Sequence, residues 1–325
     1  MEQNAIFDIR TEREFLTHAL RIFKYQYGNN TIYHSFCEYL KVKPESVNSL
    51  DQIPFLPIEF FKSKNVVSND NEAEITFTSS GTTGNETSKH FVTDLSLYED
   101  SYLQAFKHFY GNIEDYCVLA LLPSYLERTG SSLIYMVEDL IRKSNHPKSG
   151  FFLNEYEQLH QLLLELQKTE TRILIIGVSF ALLEFTEQYQ LSLQNTIVME
   201  TGGMKGRRKE IVRQELHQLL SAGFGVTEIH SEYGMTELLS QAYSKGNGVF
   251  DCPAWMKILV RDTEDPLSYL KTSKSGGINV IDLANINSCS FIATQDLGKI
   301  NEDGTFEIIG RFDNSDIRGC NLMVL

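Results

Sequence analysis

The densest group of residues able to do chemistry is Thr76-Phe77-Thr78-Ser79-Ser80-Gly81-Thr82-Thr83-Gly84, followed closely by Lys89. These nine residues carry six hydroxyls, two glycines and no charge. Glycines let the backbone approach a ligand closely, successive N–H groups can form an anion-binding concavity, and hydroxyls donate to the remaining oxygens. Lys89 adds a point charge, so the stretch suits a polyphosphate. It is not the P-loop of NTPases, because Gly84 is followed by Asn85 rather than a lysine, and it is not a dinucleotide fingerprint. In isolation it would also suit a polar surface loop.

A second constellation, Ser231-Glu232-Tyr233-Gly234-Met235-Thr236-Glu237, follows an expected strand over Val226 to His230, where open α/β sheets place their ligands. Magnesium takes one or two carboxylates together with phosphate oxygens, which makes Glu237 a candidate ligand; alone it would serve equally as a helix N-terminal carboxylate. Thr201-Gly202-Gly203-Met204 is a second turn after a strand. The last constellation is Thr294-Gln295-Asp296-Leu297-Gly298, then Asp303-Gly304, then Gly310-Arg311-Phe312-Asp313.

Taken in order, these segments resemble the phosphate loop, the Tyr-Gly-x-Thr-Glu segment and the Thr-Gly-Asp and Gly-Arg-x-Asp segments of the adenylate-forming enzymes, the acyl-CoA synthetase and ligase superfamily. Gln295 stands where those enzymes usually have glycine. The resemblance implies that a carboxylic acid and ATP are joined as acyl-AMP. It places the ATP phosphates on Thr78, Ser79, Ser80, Gly81, Thr82, Thr83 and Gly84, with Lys89 and Thr236 as further phosphate contacts. It sets the adenine against Gly202, Gly203, Tyr233 and Gly234, the ribose on Asp296 with Arg311 nearby, Mg²⁺ on Glu237, and a hinge at Asp313. Full-length relatives continue into a mobile C-terminal domain that supplies a lysine; here the sequence ends at Leu325, and that domain is expected to be absent. A cysteine in a short tail, Cys320, is similar to the acyl acceptor of the LuxE-type acyl-protein synthetases, which pass an acyl group from acyl-AMP to the cysteine and on to a reductase partner. A medium or long fatty acid is then the expected substrate. CoA or an acyl carrier protein as acceptor, or a non-catalytic nucleotide-binding subunit, would leave the same adenylation motifs. Phe106, Phe109, Tyr125 and Phe180 are candidates for the acid pocket.

Elements that could position these residues alternate along the chain. Strands are expected over Tyr116 to Leu122, Arg172 to Ile176 and Thr196 to Glu200, with helices over Ser131 to Lys143, Glu155 to Lys168, Ala181 to Tyr189 and Arg208 to Leu220. This order predicts an α/β fold with a mostly parallel sheet flanked by helices. Beyond Trp255 short strands predominate, so residues 1–313 read as the catalytic domain, with a β-rich subdomain over about 250–313 and a tail over 314–325. Upstream, Thr11 and Glu14 form a capping box for a helix that Gly28 would end, and the proline-broken stretch Ile53 to Lys62 reads as an extended packing arm.

A net charge of −14 argues against a nucleic-acid surface. The five cysteines lack Cys-x-x-Cys spacing and indicate neither a disulfide framework nor a zinc site. No signal peptide or membrane-length apolar run is evident, so a cytoplasmic location is expected. A rival enzyme reading is a hydrolase: Gly177-Val178-Ser179-Phe180-Ala181 approximates a nucleophile elbow, with His217 or His230 as base.

Overall fold

The computed structural model describes residues 3–79, 87–123, 130–202 and 211–312. Its N-terminal layer is helical: α1 (Glu12–Asn29) and α2 (Thr31–Tyr39) precede a short strand β1 (Leu56–Pro57) and helix α3 (Phe60–Ser63). The capping box is present, with Glu14 N donating to Thr11 Oγ1 at 3.2 Å and Thr11 N to Glu14 Oε2 at 3.0 Å. Gly28 does not end α1. The helix runs on to Asn29, and Asn30 both closes it and caps α2 by accepting from the N–H groups of Ile32 and Tyr33. The arm Ile53 to Lys62 packs as expected: Ile53, Phe55, Leu56 and Phe61 are buried.

The hairpin β2 (Ile75–Thr78) and β3 (Lys89–Val92) stands apart from the main sheet. Helix α4 (Leu95–Tyr110) leads to β4 (Tyr116–Leu121), α5 (Ser132–Ser144), β5 (Gly150–Phe151), α6 (Tyr156–Leu166), β6 (Arg172–Val178), α7 (Ser179–Gln188), β7 (Thr196–Thr201), α8 (Arg213–Phe224) and β8 (His230–Tyr233). The segment from β4 to β8 is the parallel half of the sheet, in the order β5-β4-β6-β7-β8. Every residue of β4 is buried, which is what helices on both faces require of a parallel strand.

The remaining strands are β9 (Ala242–Ser244), β10 (Val249–Asp251), β11 (Met256–Arg261), β12 (Gly276–Asp282), β13 (Phe291–Ile300) and β14 (Phe306–Arg311). They pair antiparallel and continue the same twelve-stranded sheet, through β8-β9-β10-β14-β13-β12-β11, while β1 pairs parallel with β13. The β-rich portion is therefore fused to the parallel half through the β10–β14 pairing. Asp303-Gly304 makes the expected turn, with Gly304 at φ +89°.

Two boundaries differ from the sequence reading. Gly225, at φ +66°, ends α8 in a left-handed cap, and the polar Thr227-Glu228 lies outside any strand, so β8 begins at His230 and includes Glu232 and Tyr233. Ile211 and Val212 precede α8, which begins at Arg213, with Val212 as its extended N-cap. Among the described residues no helix is long and apolar enough to cross a membrane.

Candidate functional site

The hairpin brackets the Ser/Thr/Gly loop. Thr78 and Lys89 are register partners, Ser79 N donates to Ser88 O at 3.1 Å, and Ser88 N donates to Ser79 Oγ at 2.9 Å. Thr78 N also donates to Gly130 O at 2.7 Å; a Cβ on Gly130 would come within 3.0 Å of Thr78 Oγ1, so glycine permits the close approach. Lys89 is exposed at the start of the returning strand. Ser80, Gly81, Thr82, Thr83 and Gly84 lie outside the described residues, as do Gly203, Tyr125, Asp313 and Cys320.

Strand alternation carries the hairpin's inner face to the second constellation. Ser88 and His90 point the same way. The Ser88 hydroxyl donates to the carboxylate of Glu237, a residue only 5 % exposed whose pKa is raised by burial and lowered in part by that bond. His90 is 1 % exposed, with Nδ1 2.8 Å from Thr236 O and Nε2 3.0 Å from Asn285 Oδ1. Asn285 turns its Nδ2 to Glu237 O at 2.7 Å and Cys289 O at 2.9 Å, which fixes its oxygen toward the imidazole. Both ring nitrogens thus face oxygens, and these bonds favour the protonated ring, while burial pushes its pKa down to about 4. The main-chain carbonyls of Thr236 and Glu237 are held by two side chains that the sequence motifs did not single out.

Beyond these contacts, β8 presents Tyr233 to the β-rich half. Its hydroxyl donates to Asp296 Oδ2 at 2.8 Å, and Arg311 Nε donates to Asp296 Oδ1 at 3.1 Å. Asp296 and Arg311 are register partners on β13 and β14. The Tyr233 ring packs against Phe250 and Phe306. Gln295 does not adopt a positive φ; it lies in β13 and donates through Nε2 to Glu59 Oε1 at 2.6 Å, so the missing glycine costs no backbone strain here.

Gly202, at φ +69°, closes β7 in a conformation that favours glycine. Ser179 fixes it, donating to Gly202 O at 2.7 Å, and is itself only 2 % exposed. That occupied, buried hydroxyl is unlike an elbow nucleophile. His217 contacts Glu200 and Ser231, and His230 contacts Tyr110. The proposed acid-pocket residues Phe106 and Phe180 are core residues, at 2 % and 0 % exposure, and Phe109 is buried against Tyr243.

Among the described residues no cluster of three or more His, Cys, Asp or Glu side chains could hold a metal. The donor set fits Mg²⁺ bound mainly by phosphate oxygens: Glu237 is a single buried carboxylate whose charge is unfavourable without a nearby cation.

Replacing His90 by Leu should release both carbonyls and lower the nucleotide-dependent rate by about 10–100-fold, the usual scale for groups that orient a ligand from behind. His90→Gln, which keeps one donor, should recover part of the loss. Equal KM for MgATP and equal kcat in all three proteins would show that the network is only structural.

The profile of the family described as acyl-protein synthetase, LuxE, matches residues 8–116, a stretch that includes the hairpin and ends at the start of β4. The long-chain-fatty-acid–luciferin-component ligase of Vibrio harveyi is 24 % identical over 323 residues, covering 92 % of this chain and 84 % of that protein. Among solved structures, 2-hydroxyisobutyryl-CoA ligase in the postadenylation state with its acyl-AMP superposes with a TM-score of 0.71 at 11 % identity, covering 93 % of this chain and 68 % of that one. ATP-bound MatB from Rhodopseudomonas palustris gives a TM-score of 0.54 at 18 % identity over 73 % of this chain; the match spans 47 % of MatB. The fold is that of the adenylate-forming ligases, and in sequence the chain is similar to the LuxE acyl-protein synthetases.

Proposed function

We propose that this chain is an AMP-forming acyl ligase that activates a carboxylic acid with ATP and passes the acyl group through Cys320 to a partner protein. The observation that carries the first half is the meeting of Glu237, Tyr233, Asp296 and Arg311 at the ends of neighbouring strands, in a fold shared with adenylate-forming ligases. A carboxylate oxygen of the acid attacks the α-phosphorus, the bond to the bridging oxygen of the β-phosphate breaks, and pyrophosphate leaves. Thr78, Ser79 and Lys89, with the glycine-rich loop, receive the phosphates. Asp296 keeps acceptor capacity for ribose hydroxyls, and Arg311 holds it in place. Glu237 would hold Mg²⁺, which neutralises phosphate charge when bound. The acid lies on the side of β8 away from Tyr233, beneath α4.

In the second half, the Cys320 thiolate attacks the acyl carbonyl, AMP leaves, and the thioester is handed to a nucleophile on the acceptor. Similarity to the long-chain-fatty-acid–luciferin-component ligase and to the LuxE family supports this order and a fatty acid as substrate. The test is a panel of carboxylic acids in ATP–pyrophosphate exchange with radiolabelled pyrophosphate. Acid-dependent exchange is expected, and its absence with every acid would overturn the reading. Exchange accompanied by direct acyl transfer to CoA, with no labelled protein, would replace the second half by a CoA ligase.

A further inference from the structure

Adjacent side chains of β8 point to opposite faces of the sheet, so Glu232 points away from the nucleotide side that Tyr233 faces. On that second face Glu232 pairs in register with Thr201 of β7 and Tyr243 of β9, and Thr201 Oγ1 donates to Glu232 Oε2 at 2.6 Å. Helix α4 covers the same face: the Tyr110 ring lies 5.4 Å from Tyr243, and Tyr98 is buried alongside. The wall is aromatic, yet its floor is polar. A Cβ on Gly234 would sit 2.4 Å from Glu232 Oε1 and 3.3 Å from Gln241 Cγ, so glycine makes room for the carboxyl beside the backbone. Gly234 is exposed and Glu232 partly so, which leaves this floor reachable.

Two acceptors there are unfilled. Among the described residues Glu232 Oε1 has no hydrogen-bond partner, and Gln241, 4 % exposed, buries its Oε1 without one. An orphaned buried oxygen costs about 1–3 kcal/mol until a ligand or water satisfies it. Burial, with Glu200 nearby, pushes the Glu232 carboxyl up to about 7, so near neutrality it can donate as well as accept. A hydroxyl matches both needs, donating to one oxygen while accepting from the other group; a bare methylene chain satisfies neither.

Building on the adenylation reading, we propose that Glu232 and Gln241 are specificity-determining residues that select a carboxylic acid bearing a hydroxyl group over the same acid without it. A site arranged to bond a hydroxyl discriminates strongly against the analogue that lacks it, because its own polar groups are then left buried and unpaired.

The experiment compares kcat/KM in pyrophosphate exchange for matched pairs of acids, hydroxylated at the α or β carbon and unsubstituted, from short to long chains. The parent should favour the hydroxylated member by about 10²-fold or more at the preferred length. Glu232→Leu should bring that ratio near unity, chiefly by losing the hydroxy acid. Glu232→Gln, still polar and similar in shape, should keep most of the preference, and Gln241→Leu should lower it independently should Glu232→Leu fold poorly. A parent that prefers unsubstituted acids, or an unchanged ratio in both leucine variants, overturns the proposal while leaving adenylation intact. A preference for α-amino acids over hydroxy acids also overturns it. No exchange with any acid removes the adenylation reading and this inference with it.

Discussion

Glu237→Gln should cost about 10²–10³-fold in acid-dependent pyrophosphate exchange, the scale on which a single charge-stabilising group acts, while leaving the fold intact. The amide keeps the shape and the bond from Ser88 but loses the negative charge that would draw Mg²⁺ to the phosphates. The pH dependence follows from the same burial. The Glu237 pKa is raised, so the acid limb of the exchange profile should lie above that of an ordinary glutamate. For stability the sign is opposite: a carboxyl whose folded pKa exceeds its unfolded value stabilises the protein at low pH, and that contribution is lost as pH rises through the folded pKa. Glu237→Gln should flatten that part of the melting-temperature profile of the ligand-free protein. Exchange rates equal in mutant and parent would remove Glu237 from the metal site.

Cys320→Ser should separate the two half-reactions: exchange persists at the parental rate, and a hydroxylamine-sensitive acyl label on the protein disappears. The four described cysteines are poor substitutes. Burial pushes Cys37 up to about 12 and Cys117 up to about 11, and Cys252 and Cys289 are also raised, so little thiolate exists on any of them near neutrality. Replacing Cys289 or Cys252 should therefore leave the label in place. Retention of a full label by Cys320→Ser would disprove the carrier role.

Sequence reading was most effective where chemistry or burial is local. The parallel strands announced themselves through uninterrupted apolar runs such as Tyr116 to Leu121, and the motif residues could be found because their types are constrained by what they would touch. Single positions at element ends were harder. Gly28 signals a helix end by composition, yet α1 continues through it because Asn30 supplies the cap; Val226 to His230 has strand composition, yet the left-handed Gly225 and the polar residues after it delay β8. The short terminal strands suggested a subdomain of their own, because no local signal tells that β14 will pair with β10. His90, Asn285, Ser88 and Ser179 remained hidden for a related reason. A buried polar residue becomes meaningful only beside its partner, and Asn285 lies 195 positions from His90.

That separation also bears on how the protein folds. Gln26 of α1 donates to the carbonyls of Asn285 and Ile286 and accepts from Ser290 N, contacts that span about 260 positions, while Asn30 reaches Ser288. Asn285 in turn holds Glu237 and His90. The first helix of the chain and one of its last folded segments thus close a single ring around the nucleotide side. Contacts this distant in sequence form slowly, because the loop they close must first lose its entropy. During synthesis the N-terminal helices must wait until residue 290 has emerged before their buried amides find partners. Competence to bind nucleotide should therefore appear late in refolding, after most helical signal has returned.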